Sequence, residues 1–257
     1  MREIIEKLKE IETGEIGLII YSQLKQEIVL SFNKELLVPL ASSAKVAIAF
    51  CVAKLVEDSH FKWNDIVENI SFNPDEDSNL IYPHFQNRET LALSEAVEVM
   101  IACHDSFVAN RVVQFCGGWE SINKKVKSYF NKINITQSPR DLANNGELSQ
   151  MLELLRLIFQ EYTISPELWM PIINGIVRQR GEIEGIPAQY LNHMTGGLDS
   201  VVVDFGIIGE FSQNPLLYVL GAMNLPNRYT EKVADEKIID ILKLLYSEYS
   251  ILNELIN

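Results

Sequence analysis

The chain has 257 residues, 47% of them apolar and 22% charged, with a net charge of −13 from 22 Lys+Arg against 35 Asp+Glu. A soluble chain of this length buries roughly 75% of its unfolded surface, as one large domain or two small ones. With no long basic run to offset the acidity, nucleic acid is excluded as a partner, and the charge reads as a well-solvated surface.

Residues 2–12, "REIIEKLKEIE", interleave charges with isoleucine and leucine at helical spacing. They lack the continuous apolar core of a signal peptide, so a cytoplasmic location is expected. "IGLIIYS" and "EIVLSFN" are β-rich runs separated by "QLKQ", which predicts a hairpin. The apolar run "LLVPLASSAKVAIAFCVAKLVE" (36–57) predicts a buried helix from about Ser43 to Glu57. Pro39, Lys45 and Lys54 argue against a membrane span. Residues 60–90 read as loop with short turns. Helices are then expected at about 94–102, 106–116, 119–130 and 147–162, with Glu147 as a first-turn residue favoured by the helix dipole. "SPELWMPIINGIVRQ" adds a helix with Pro166 in its first turn. "QYLNHMTG", "DSVVVDFGIIGEF" and "PLLYVLGAMN" read as strands, and a last helix runs from about Thr230 to Leu255.

This order predicts an α+β fold. A five-stranded antiparallel sheet flanked by the N- and C-terminal helices carries an inserted all-helical part. The expected subdomains are 1–38 plus 188–257 for the sheet and 39–187 for the helices. Cys51, Cys103 and Cys116 are odd in number and lack metal spacing, and Cys51 and Cys103 fall in apolar helical stretches. They read as free thiols of a reducing compartment. His60, His84, His104 and His193 have neither paired spacing nor cysteine partners, so no metal or other cofactor is expected. The sequence does not specify an oligomeric state.

Ser-x-x-Lys occurs five times, at Ser22, Ser31, Ser42, Ser59 and Ser121. Ser22 and Ser31 lie on hairpin residues, where i and i+3 point to opposite faces. Ser59 and Ser121 lie in polar, solvated stretches. Only Ser42 opens a helix that is apolar on nearly every side. There Lys45 shares a face with Ser42, and burial favours its neutral amine, so it can act as a base. The helix N-terminus is suited to an oxyanion. A buried lysine held by a carboxylate, with Ser42 as a helix cap, explains the same residues equally well.

Two later segments bear on that choice: "MIACHDSFVANRVV" (100–113), a helical run broken at His104-Asp105-Ser106, and "LNHMTGGLDSVVVDFGII", with Met194-Thr195-Gly196 on a strand. Taken in order with "PLASSAK", they resemble the three signature segments of the serine β-lactamase and penicillin-binding-protein superfamily, closest to class A β-lactamases. The resemblance extends to the opening hairpin, "PRD" before the helix at 147, "GIP" before the third strand and the closing helix.

The resemblance implies Ser42 as nucleophile and Lys45 as base. Ser106, Thr195, Gly196 and Gly197 fall at substrate and oxyanion positions, the Gly197 N–H joining that of Ser42, and Asn110 fits the family pattern. His104 stands where the family has serine; it is either a proton relay or a space-filling polar residue. Met194 replaces a lysine, and no arginine on the next strand compensates. His193, on the opposite strand face, reads as structural. The stretch "NKINITQSPRDLANN", where class A enzymes carry a deacylating glutamate, has none. The expectation is a serine hydrolase acting on a β-lactam or related amide or ester, an esterase or D-Ala peptidase included. It takes a small-molecule or peptide-like acyl substrate and deacylates slowly. A non-catalytic, degenerate relative that keeps the fold as a binding module is the rival.

Overall fold

The computed structural model of the protein describes residues 1–254. In chain order it runs α1 (Arg2–Lys9), β1 (Glu15–Ser22), β2 (Glu27–Phe32), β3 (Leu37–Pro39) and α2 (Ala44–Glu57). Then follow β4 (Ile66–Glu68), α3 (Ser78–Ile81), β5 (Thr90–Ala92), α4 (Leu93–Ala102), α5 (Ser106–Phe115) and α6 (Gly118–Tyr129). The chain continues with β6 (Ile133–Asn134), β7 (Asn145–Glu147), α7 (Leu148–Ile164) and α8 (Pro166–Arg178). It closes with β8 (Leu191–Leu198), β9 (Val201–Ile208), β10 (Leu216–Met223) and α9 (Val233–Glu254). The expected α+β order is met. Leu255, the expected end of the last helix, lies outside the described residues. Glu147 ends a strand instead of opening a helix. The 60–90 stretch, expected as loop, holds β4 and the short helix α3, and β4 pairs with β5 at its far end, Ile66 opposite Ala92.

The chain divides into two compact units. One comprises 1–41, 146–153 and 181–257, the other 42–145 and 154–180. Against the expected boundaries, 146–153 joins the sheet unit, because Leu148 N–H bonds Leu36 O at 3.1 Å and Ser149 N–H bonds Lys34 O at 3.0 Å. Residues 181–187 join it as well.

In the sheet unit the strand order is β2-β1-β10-β9-β8, with β8 at an edge. Alternate residues of β1 and β10 (Leu18, Ile20, Tyr218, Leu220) pack with Ile4 and Leu8 of α1 and Ile241 and Leu245 of α9. On the other face Gly17 and Gly221 stand opposite each other in register. A Cβ on either would meet the Leu148 side chain, at 2.5 Å and 2.6 Å. The paired glycines therefore form a slot for Leu148, which is fully buried and stabilises the unit by about 1.5–3 kcal/mol. β1 from Ile16 on and β9 throughout are buried residue after residue, which strict alternation would not produce.

In the helical unit α2 is the centre: Ala44 through Ala53 are all buried. Its Phe50 ring packs on Tyr129, Phe130 and Trp169 at 5.2, 5.3 and 5.5 Å between centroids. Lys54 leaves this core by lying over the Trp169 ring at 5.1 Å and pairing with Glu57 and Glu161. All three cysteines are free and buried, and burial pushes the Cys51 and Cys116 thiols up to about 12. Among the described residues no helix is long and apolar enough to cross a membrane.

Candidate active site

The chain enters α2 through a single 3-10 turn, Ala41–Ser43. Ala41 sits there at φ 48, a left-handed conformation that costs a non-glycine residue about 1–3 kcal/mol. The helix N-cap is Ser43, which leaves the Ser42 hydroxyl outside the cap. Lys45 Nζ donates to Ser42 Oγ at 3.2 Å. Lys45 is 4% exposed, and burial pulls its amine down to about 8 against the opposing pull of Glu76 and Asp105. About a tenth of such an amine is neutral at pH 7. Serine and lysine thus form a hydrogen-bonded pair whose amine can both give and accept a proton.

The break between α4 and α5 holds His104, Asp105 and Ser106. His104 is a second strained non-glycine residue, at φ 55, and its Nε2 meets the Gln179 side-chain amide. With the amide nitrogen as donor, the ring proton resides on Nδ1. Asp105, fully buried, caps α5 by accepting Phe107 N–H and Val108 N–H, both at 3.0 Å. Its other oxygen accepts Asn73 N–H at 3.0 Å, and Ser106 Oγ accepts from Asn73 Nδ2 at 3.0 Å. Burial raises the Asp105 carboxyl, and these donors pull it back. Asn110 accepts from Trp119 Nε1 at 3.0 Å, a packing role inside the helical unit. The segment before β7 has one carboxylate next to its Arg140, that of Asp141. It is exposed and turned onto its own loop, accepting Ala143 N–H at 2.9 Å.

In the sheet unit Met194, Thr195, Gly196 and Gly197 lie on edge strand β8. Met194 is fully buried and Gly197 exposed. A cleft of about 350 Å³ beside this strand is lined by Thr195, Gly196, Gly197, Arg228, Asp235 and Ile239. Arg228 anchors the β8–β9 turn: its Nη1 donates to Leu198 O at 3.2 Å and Val201 O at 2.7 Å, and its Nε to Asp235 at 2.7 Å. A Cβ on Gly197 would come within 2.9 Å of Arg228 Nη1, so glycine is what lets the guanidinium lie against the strand. The structure therefore puts a cation beside Thr195–Gly197 where sequence reasoning expected none. "NRYTEK" is a polar loop whose arginine cannot be distinguished from a solvated one until the fold brings it back.

His193 alternates with Met194 and shares a strand face with Thr195, lining the same cleft. Its Nδ1 faces Asp204 at 3.0 Å and its Nε2 faces Gly181 O at 3.1 Å, while Tyr218 OH donates to Asp204. Both ring nitrogens meet acceptors, which favours the imidazolium. Burial works against the charge, but Asp204 and the Gly181 carbonyl outweigh it, and the pKa is raised. Asp204, 4% exposed, was unread in the sequence because it interrupts "VVVDFGII" as a solvent-facing strand residue would. Glu76 and Asn73 were likewise missed, one acid and one amide among many in "NPDEDSN".

The profile of the β-lactamase enzyme family matches residues 1–248. No curated protein sequence matches the chain. Among solved structures, a variant of PBP-A in acyl-enzyme complex with penicillin G superposes with a TM-score of 0.80 at 17% identity, over 97% of this chain and 95% of that one. A β-lactamase from Chitinophaga pinensis gives 0.80 at 16%, over 96% and 98%. A class A β-lactamase of the last common ancestor of Gram-negative bacteria gives 0.77 at 16%, also over 96% and 98%. The profile match over residues 1–248 and the shared fold lead to one conclusion: the chain belongs to the β-lactamase enzyme family.

Proposed function

We propose that the protein is a serine acyl hydrolase that forms an acyl-enzyme on Ser42 from a β-lactam or a related amide or ester, and releases it slowly. The observation that carries this reading is the 3.2 Å bond from Lys45 to Ser42, made by an amine that burial has pulled down to about 8. Neutral Lys45 takes the Ser42 proton as Oγ attacks the carbonyl carbon and the C=O electrons move onto oxygen. Collapse of that oxyanion breaks the carbon–heteroatom bond, and the leaving atom takes the proton that Lys45 collected from Ser42, relayed in this reading through His104, whose neutral ring gives up one proton as it receives the other. Ser106 and the Thr195–Gly197 strand take the substrate-binding roles that family likeness gives them, and Gly197 N–H that of an oxyanion donor. The PBP-A variant trapped with penicillin G lends support from a neighbour of the same fold.

Slow release follows from the segment before β7. Its Asp141 carboxylate is exposed and occupied by Ala143, so it offers no base for the hydrolytic water. A missing general base costs about 10²- to 10⁴-fold in deacylation. A chromogenic cephalosporin should give a burst of one equivalent and then a slow steady state. A fluorophosphonate should label wild type on the Ser42 peptide and leave Ser42→Ala unlabelled. Labelling that persists in Ser42→Ala, or an adduct at Ser22, Ser59 or Ser121, would overturn the assignment.

A binding module without turnover is the second reading. Two observations favour it: the fully buried Met194 at the family's lysine position, and the engagement of His104 by Gln179. It predicts saturable β-lactam binding with no covalent adduct by intact mass.

A further inference from the structure

We infer that a cleft in the helical unit, in which Trp63 and Glu167 stand together, is a binding site for a small flat organic cation of the amidinium or guanidinium class. The inference is independent of the Ser42 chemistry.

The cleft measures about 460 Å³, within the roughly 300–1,000 Å³ of small-ligand sites. It is lined from α4, α8, the stretch after α3 and Trp63 ahead of β4, all in the helical unit. Its walls repeat one arrangement, an aromatic ring beside a glutamate. Twice a guanidinium of the chain itself fills that arrangement. Arg88 lies over the Phe85 ring at 4.7 Å and forks onto both oxygens of Glu95, at 3.1 and 2.9 Å. Arg178 lies over the Tyr82 ring at 6.0 Å and pairs with Glu98. Glu98 is held for that partner by Tyr82 OH at 2.7 Å and Asn174 Nδ2 at 3.0 Å.

The third ring and carboxylate carry no such partner. Trp63 is fixed in place: its Nε1–H donates to Leu168 O at 2.9 Å, and its carbonyl accepts Ser94 N–H at 3.0 Å. The first of these bonds ties the indole to the residue next to Glu167, in the first turn of α8. Among the described residues no cation lies over the Trp63 ring and none pairs with Glu167, which is exposed. Met170 shares the Glu167 face of the helix and lines the same cleft with its adaptable thioether. Trp is the best of the aromatic faces for a cation, and a free carboxylate takes two parallel N–H bonds from a planar one. An alkylammonium would gain the charge contact without the fork or the stacking. The net charge of −13 draws cations to the protein as a whole, and the two seated arginines show which shape these walls accept.

The test titrates benzamidine, and benzamide as its neutral isostere, into the full chain. Binding is followed through the indole N–H signals of Trp63, Trp119 and Trp169 in ¹H–¹⁵N NMR spectra, with Trp63→Phe identifying the Trp63 signal. Benzamidine should shift the Trp63 signal saturably, and benzamide should bind about tenfold more weakly or not at all. Glu167→Gln, at an exposed position, should keep the wild-type melting temperature and weaken benzamidine about fivefold to tenfold. Ser42→Ala should titrate as wild type does, so the result stands whether or not Ser42 is acylated. An unmoved Trp63 signal, equal binding of benzamide, or undiminished affinity in Glu167→Gln would each overturn the inference. So would a response lost in Ser42→Ala, which would move the cation to the candidate active site.

Discussion

Lys45 and His193 are each 4% exposed, yet their surroundings move their proton affinities in opposite directions. Lys45 donates to one neutral hydroxyl, and the carboxylates acting on it fall short of repaying its lost hydration; its pKa is pulled down to about 8. His193 has a carboxylate on one ring nitrogen and a carbonyl on the other, and its pKa is raised. Depth of burial is therefore a poor guide to reactivity in this protein. What separates a base in waiting from a structural cation is the number of acceptors the fold supplies.

The sharpest way to break the comparison is Lys45→Met, which keeps volume and removes the poorly partnered charge. Ser42 labelling should fall by about 10²- to 10⁴-fold. The melting temperature should hold or rise, because a buried, weakly compensated cation has been exchanged for an apolar chain. A melting point that collapses would place Lys45 with the structural cations. The mirror experiment is Asp204→Ala. It strands His193 and Tyr218 without their common acceptor and should cost about 3–5 kcal/mol in unfolding free energy, measured by denaturant melts. Urea midpoints equal to wild type would show that the network carries no stability.

Gly206→Ala probes the same network by crowding. Gly206 lies in register between His193 and Tyr218, and a Cβ there would come within 2.6 Å of His193 Cβ. The expected loss is about 1–3 kcal/mol. The smallest effect is the pH dependence, where the two residues should pull apart. His193 is raised above its unfolded value of 6.5, so its contribution to stability is full below that value and lost as pH rises through the folded pKa. Ser42 labelling should instead increase as pH rises through about 8. His193→Gln should flatten the stability trend without moving the labelling curve. A labelling curve that moves would mean that His193 and Lys45 are coupled, and the contrast between them would fall.

Legibility of these sites in the sequence followed from locality. Ser42 and Lys45 are three apart on one helix, so spacing alone brought them together, and α2 and the β1–β2 hairpin were visible as apolar runs. The β8 segment was readable through family likeness. Asp204, Arg228 and Asn73 were not, because each is defined by partners far along the chain: His193 on a neighbouring strand, the Leu198 and Val201 carbonyls, the Asp105 carboxylate. The assignment of 146–153 failed for a related reason. Glutamate before an apolar run reads as the first turn of a helix, and nothing local announces that Leu148 is destined for the Gly17–Gly221 slot.

That slot also bears on how the protein is made. Gly17 is synthesised early and Gly221 about 200 residues later, at translation speeds of about 5–20 residues per second. For about 10–40 s, then, the hairpin of β1 and β2 exists without the strand that completes its sheet, its isoleucines and leucines uncovered. The helical unit waits less, since all its residues lie between 42 and 180. A nascent chain halted before residue 216 should accordingly hold its first 41 residues in a chaperone-dependent, protease-sensitive state. Within this sheet the strand made first waits for β10.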